Sequence, residues 1–342
     1  MGATNGIEYL ILFAVALICG VAATFAVRAF ALRFGIVNHP NKIVATHIKP
    51  VAYLGGAAIF IAAIIATAII NKLYPDALTI PKSFPLNAII AGAAGFLIFG
   101  IMDDLFTFRP LIKLISQALL ALASVALGVR MHITGIDVAD SFLSIAYIIV
   151  IVNATNVTDV CDGLVGGLCA IIFLLIAVFV PAFAPAALMM SACIFGFLFF
   201  NFPPATIYLG DAGAHFLGFM LAVVCMQGAD LSELKLQAAG WLLLVPGVVL
   251  FEMIFLIVVR TRKGLRWYRG SPDHFSLRLQ TAGFSRRQTD FIAWATNAAM
   301  VSAVCNLPYC PGYMQILIVL LVVAAFIVSW QFLLRHEVKK TG

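Results

Sequence analysis

Tyr313–Leu334 reads YMQILIVLLVVAAFIVSWQFLL, an apolar run without a single charged side chain. A helix needs about 20 such residues to cross the hydrocarbon core of a bilayer. Working back from this run, the same pattern recurs to the other end of the chain. Further spans are predicted near 8–30, 51–71, 86–102, 111–129, 141–157, 164–182, 184–200, 213–229, 238–259 and 290–307, which makes about eleven in all. The 342 residues are 63% hydrophobic and only 11% charged, with mean hydropathy +1.08. A soluble domain carries about a quarter charged residues, so this chain lacks the polar surface to cover itself in water. The sequence therefore predicts an all-α, polytopic membrane protein forming one domain over residues 1–342. The first run has no basic segment before it and no small-residue cleavage site after it, so it is read as a retained span.

Charge placement sets the orientation. The loops near 31–50, 103–112, 157–163, 201–212 and 260–289 fall on one side of this topology together with the C-terminus. Of the 21 Lys and Arg residues, only Lys72, Lys82, Arg130 and Lys235 fall on the other. The rich side is cytoplasmic, which puts the N-terminus outside and the C-terminus inside the plasma (inner) membrane. Basic residues confined to a few loops on one face also argue against nucleic acid as the partner of the net +6 charge. The seven cysteines show no metal-ligand spacing. Cys305 and Cys310 flank a short loop and would pair if that loop faced an oxidising compartment.

The acids then become informative. Asp103, Asp104, Asp159, Asp162 and Asp211 all land at cytoplasmic ends of spans, from three distant segments. Ionisable groups near membrane depth are costly and mark function. Asp162 and Asp211 each precede a span and could simply cap a helix N-terminus. Asp103 and Asp104 follow a span, where the helix dipole disfavours an acid by about 0.3–1 kcal/mol, so capping does not explain them. Asp159 and Asp162 would share a face if a helix extends over them, as would Asn153 and Asn156 on the run before. The Asn153 and Asn156 sequons are discounted because they lie at the cytoplasmic end. Carboxylates without a His/Cys set suit Mg²⁺ or Mn²⁺, and Mg²⁺ in turn favours substrate phosphates.

The long basic loop over 260–289 adds cations. Ser271-Pro272 reads as a helix start, with Ser271 as N-cap, and Gly283 as its end. His274 and Arg278 would then share one face and Phe275 and Leu279 another, giving a short amphipathic helix at the membrane whose cationic pair suits phosphate. Arg260, Arg262 and Lys263 are read as a surface attracted to anionic lipid headgroups. Ser285 and Gln288 form a capping-box pattern for the next span.

Taken together, these segments resemble the polyprenyl-phosphate N-acetylhexosamine-1-phosphate transferases. Asp103-Asp104 with Lys113 and Gln117 resembles the family's first acidic motif. The stretch from Asn153 and Asn156 through Asp159 to Asp162-Gly163-Leu164 resembles the second, and Asn201-Phe-Pro-Pro204 running to Gly210-Asp211-Ala-Gly213 the third. A Gly55-Gly56 pair follows the first cytoplasmic loop, so the likeness covers nearly the whole chain in order. Within the family, the pattern is closest to the branch loading GlcNAc-1-phosphate onto undecaprenyl phosphate for O-antigen, common antigen or teichoic acid. The branch loading phospho-MurNAc-pentapeptide carries a histidine triplet where this chain reads His274-Phe-Ser276-Leu277-Arg278, which argues against that substrate. Val160 stands where the family usually has glycine, and Asn38 where aspartate is common.

The resemblance implies attack of the lipid phosphate on the sugar-linked phosphorus of a UDP-sugar, with release of UMP. It implies Asp211 as the Mg²⁺ (or Mn²⁺) ligand, with Asn153 close to the metal or diphosphate. Lys113, His274 and Arg278 would neutralise phosphate oxygens, Asp103 or Asp104 would orient or deprotonate the lipid phosphate, and Asn156 would also bind substrate. Asn201, Asp159 and Asp162 would shape the nucleotide side. A covalent aspartyl-phosphate route is an open alternative. The partners are the UDP-sugar, the lipid and the membrane, and a homodimer is compatible with this reading. A transporter, the rival class, predicts acids at the midplane and discontinuous helices in related halves, whereas here the acids gather at one face and no internal repeat is seen.

Overall fold

The computed structural model describes residues 6–38, 50–74, 78 and 84–338. Lys42, Lys49, Lys82, Lys339 and Lys340 of the charge pattern lie outside them. Helix α1 (Gly6–Phe34) leads into a small antiparallel pair, β1 (Val37–Asn38) and β2 (Val51–Ala52). Then come α2 (Gly55–Leu73), α3 (Leu86–Phe106), α4 (Pro110–Ala126), α5 (Asp137–Thr158), α6 (Leu164–Phe179) and α7 (Ala184–Asn201). The chain continues through α8 (Gly210–Asp230), α9 (Lys235–Leu243), α10 (Gly247–Arg262), α11 (Phe275–Thr281), α12 (Arg286–Asn306) and α13 (Gly312–Arg335).

Every apolar run expected to span is helical, yet the runs are not equivalent. Among the described residues, eight helices are long and apolar enough to cross a bilayer, and nine if α9 and α10 count as one span. Helices α4 and α6, with 17 and 16 residues, fall short of the usual crossing length. The run expected as one span over 238–259 is broken, with α9 and α10 meeting at 63°. The cause is Pro246, which supplies no backbone N–H and disfavours helix in the residue before it. Asn297 of α12 meets the groups freed there: its Nδ2 donates to the Val245 carbonyl (3.0 Å) and its Oδ1 accepts the Val248 N–H (3.3 Å). A buried polar break is tolerated when its backbone groups find such partners.

Helix α8 is the axis of the bundle. Buried residues make up 83% of its most apolar window, against 6% for α13, which faces outward along most of its length. It packs against α2, α3 and α5, with Phe219 stacked on Phe96 at 5.0 Å and Phe216 edge-on to Phe60 at 5.5 Å. Small residues bring the backbones together at one end of these crossings. A Cβ on Gly56 would overlap the backbone of Gly213, and one on Gly100 the backbone of Ala212. The loop before α8 is fixed alongside β2, since Tyr208 N–H donates to Ala52 and Gly55 and Gly56 N–H donate to Tyr208 and Leu209. The Gly55-Gly56 pair thus places the start of α8 against the start of α2.

Cys305 and Cys310 are both free thiols. The capping box of Ser285 and Gln288 is formed as the sequence predicts. Replacing Gly56 by valine should cost about 1–3 kcal/mol through overpacking. Thermal unfolding in detergent would read it, and an unchanged midpoint would remove the close crossing from the account.

Candidate active site

The site is built where the end of α3 meets the start of α8. Helix α3 stops at Thr107, which adopts a left-handed conformation (φ 50°), and its last turn carries Asp103 and Asp104. Asp104 reaches across to the N-terminus of α8, where Oδ1 accepts the Asp211 N–H (2.8 Å) and Oδ2 the Ala212 N–H (3.1 Å). An acid misplaced on its own helix is thereby well placed on another, because unsatisfied N–H groups and the positive end of the dipole meet it there. Gly210 permits this approach: its φ is +75°, and a Cβ there would press on the Asp104 carboxylate.

Asp103 turns inward. Its Oδ1 accepts the Phe108 N–H (3.0 Å), and its Oδ2, which has no other hydrogen-bond donor among the described residues, touches the Lys113 ammonium at 2.5 Å. Lys113, projecting from α4, is also 3.0 Å from Oδ2 of Asp211. One ammonium therefore bridges two carboxylates. The other Asp211 oxygen accepts from Asn156 Nδ2 (2.7 Å) on α5. Asn153, one turn earlier, donates instead to Gln117 Oε1 (2.6 Å) and to the Ile149 carbonyl (2.8 Å).

The connection between α5 and α6 forms the next wall. Helix α5 ends at Thr158, so Asp159 and Asp162 lie in a turn and not on the shared helical face that their spacing allowed. Gly163, not Asp162, is the N-cap of α6. Asp162 instead accepts the Ala205 N–H (3.1 Å) and lies 3.8 Å from Arg286. Asn201 staples the two loops, accepting the Gly163 N–H (3.0 Å) and donating to the Ile207 carbonyl (2.9 Å). Burial, together with the charges of Asp211, Asp104 and Asp162, holds the Asp159 carboxyl well above its ordinary range.

Asp103, Asp104, Asp159, Asp162, Asn201 and Asp211 line one cavity of about 430 Å³. Asn38, Tyr53 and Tyr208 complete it, with the two tyrosine rings 6.0 Å apart. Sequence reasoning missed both tyrosines, since an aromatic next to a span reads as an interfacial anchor. Among the described residues no three His, Cys, Asp or Glu side chains converge closely enough to hold a metal by themselves. The donor set nevertheless fits Mg²⁺, which takes one or two carboxylates and leaves other positions to water and phosphate. Lys113 already marks the point between Asp103 and Asp211 that attracts positive charge.

His274 and Arg278 are not part of the cavity wall. Helix α11 begins at Phe275, with His274 as N-cap, and not at Pro272. Its expected cap is occupied elsewhere, because Ser271 Oγ accepts from Arg260 Nε (3.0 Å). Glu252, buried in α10, binds the start of α11 through His274 Nδ1 (2.7 Å) and the Phe275 N–H (3.0 Å). A lone acid within an apolar run was the available signal for Glu252. Arg278 is fully enclosed, donating to Asp273 Oδ1 (2.7 Å) and the Leu333 carbonyl (2.8 Å), with its guanidinium 5.2 Å from the Phe255 ring centre. Burial alone would raise the Asp273 pKa, but Lys263 and Arg278 outweigh it and hold it below its ordinary value. Helix α11 touches the cavity wall at Cys161, whose thiol is 3.3 Å from Ser276 Oγ. Arg278→Ala, which takes from buried Asp273 one of its two cations and frees the Leu333 carbonyl, should destabilise the protein by about 2–4 kcal/mol. Substrate affinity in the surviving folded fraction should change little; a stable variant with a strongly raised KM would return Arg278 to substrate binding.

A model of glycosyl transferase family 4 matches residues 86–229, the region holding the α3 acids, Lys113, the α5–α6 turn and Asp211. The chain is 28% identical over 302 residues to the probable undecaprenyl-phosphate N-acetylglucosaminyl 1-phosphate transferase of Bacillus subtilis, covering 84% of this chain and 82% of that protein. It is 28% identical over 352 residues to the decaprenyl-phosphate N-acetylglucosaminephosphotransferase of Mycolicibacterium smegmatis, covering 92% and 86%. With the undecaprenyl-phosphate alpha-N-acetylglucosaminyl 1-phosphate transferase of Escherichia coli K12 the identity is 22% over 303 residues, covering 82% and 78%. An acidic cavity bridged by a lysine stands at the end of a bundle of apolar helices, with its five acids all inside the region that matches glycosyl transferase family 4, and with these relatives it marks the chain as a membrane glycosyl-1-phosphate transferase similar to that family.

Proposed function

We propose that the protein transfers N-acetylglucosamine-1-phosphate from UDP-GlcNAc to undecaprenyl phosphate, releasing UMP, at the cytoplasmic face of the plasma membrane. The observation that carries this reading is the convergence of five carboxylates from three segments on one cavity, with Lys113 bridging two of them. The activities for which the relatives are named support the sugar and the lipid class. The Lys/Arg asymmetry supports eleven crossings with the N-terminus outside, α4, α6 and the bent α9–α10 pair each counting as one. The product would start a lipid-linked glycan of the O-antigen, common-antigen or teichoic-acid type.

In the reaction an oxygen of the lipid phosphate bonds to the sugar-linked phosphorus. The bond from that phosphorus to the bridging oxygen breaks, and UMP leaves with the electron pair. Phosphoryl transfer is mostly positioning and charge neutralisation. Mg²⁺, when bound, supplies neutralisation of the diphosphate, and Asp211 with Asp103 would hold it. Lys113 neutralises a phosphate oxygen. Asp104 fixes the start of α8 and hence the backbone of Asp211. Asp159, held toward its protonated form, would donate a hydrogen bond to a phosphate oxygen in the cavity. Tyr208, Asn201 and Asp162, which line the cavity together, would shape its nucleotide side.

Asp211→Asn should lower Mg²⁺-dependent UMP release by about 10–100-fold, the loss expected for a metal site. Turnover above a tenth of wild type would remove Asp211 from that role. Lys113→Ala should raise the KM for UDP-GlcNAc; unchanged KM and kcat would sink its phosphate contact. Offering several UDP-N-acetylhexosamines with undecaprenyl phosphate decides the sugar, and faster transfer from a sugar other than GlcNAc would overturn that choice.

A further inference from the structure

Beneath the acidic cavity, α4, α5 and α8 share a chain of buried hydrogen bonds. His215 Nδ1 lies 2.6 Å from the Asp211 carbonyl, and His215 Nε2 lies 3.0 Å from Gln117 Nε2. Gln117 Oε1 accepts from Asn153 Nδ2 at 2.6 Å, and the same Asn153 nitrogen donates to the Ile149 carbonyl at 2.8 Å. His215 and Gln117 are fully buried.

Both ends of this chain rest on backbone carbonyls, which only accept, so its direction is determined. The Ile149 carbonyl requires the NH₂ of Asn153. That NH₂ requires the oxygen of Gln117, which turns the Gln117 NH₂ toward His215. His215 Nε2 must then accept, so the imidazole carries its proton on Nδ1 alone, where the Asp211 carbonyl takes it. The two ends agree.

We infer that the His215–Gln117 relay is a positioning device that turns the Asn153 amide so that its oxygen, and not its NH₂, is offered one helical turn from the Asp211 carboxylate. Asn153 and Asn156 share a face of α5, and Asn156 binds Asp211, so this face, on which no hydrogen bond to Asn153 Oδ1 is found among the described residues, is the one turned toward Asp211. An amide oxygen repels a phosphate oxygen and welcomes a cation, a cation-bound water, or a hydroxyl or N–H of the substrate. Asn153 therefore recognises donors, leaving phosphate to Lys113. This inference rests on the proposed transfer reaction for its kinetic consequence but not for its geometry.

Histidine-specific ¹⁵N labelling in nanodiscs, with His215→Gln to assign the resonance, reads the tautomer. The expected ring is neutral with Nδ1 protonated. Protonation on Nε2, alone or with Nδ1, would reverse Gln117 and Asn153 and overturn the relay. With UDP-GlcNAc as substrate, His215→Phe should lower kcat about tenfold, as loss of a buried hydrogen-bond partner does. Its KM should hold within about twofold, since nothing that touches phosphate is removed. His215→Gln, which both donates and accepts, should restore most of kcat. Equal losses in both variants at matched thermal midpoints, or no loss in either, overturn the relay. A wild-type protein releasing no UMP from any UDP-N-acetylhexosamine would sink the proposed reaction, while the spectrum would still decide the relay.

Discussion

The contact on which the site depends is that between the Asp104 carboxylate and the N–H groups of Asp211 and Ala212 in the first turn of α8. It joins the negative end of one helix to the positive end of another through a side chain of the right sign. The start of α8, and with it Asp211, is positioned from that joint. Asp211 is the second residue of α8, so its backbone is held by Asp104 while its carboxylate is held by Lys113 and Asn156. Gly210, Gly56 and Gly100 provide the close approach that lets these helix ends meet.

Charges in this protein serve two distinct ends. Around the cavity, acids outnumber the one lysine that bridges them, so the site is electrically unbalanced and suited to a cationic cofactor and an anionic substrate. Around α11, by contrast, Glu252, Asp273, Lys263, His274 and Arg278 pair off among themselves. Buried pairs of that kind contribute little net stability but leave a costly orphan when broken, which makes them good at fixing one arrangement. The second cluster is a fastening, and the first is a receptacle.

This distinction explains what the sequence could and could not disclose. The spans were legible because a lipid-facing helix must be apolar for its whole length, and α13 is the plainest case. The five acids were legible because an acid at the wrong end of a helix needs a reason, and Asp103 and Asp104 had no local one. The break between α9 and α10 was hidden, since Pro246 inside an apolar run looks the same in a kinked span as in two helices. The fate of Arg278 was hidden too. An arginine four residues after a histidine reads as a phosphate site until the nearby Asp273 carboxylate and a distant carbonyl from α13 are found to occupy it. Pairings made across the fold leave no periodicity in the chain, and Tyr53 with Tyr208 was missed for the same reason.

Helix α13 touches its own protein along a narrow stripe, through Phe326 and Trp330 against α10 and through the Leu333 carbonyl, which Arg278 holds. Its solvent is otherwise the acyl chains, so its tilt answers to the thickness of the surrounding leaflets. Because the far end of that same guanidinium grips Asp273, the foot of the outermost helix and the segment leading into α11 are moored to one arginine, and neither can be displaced without the other unless that mooring parts.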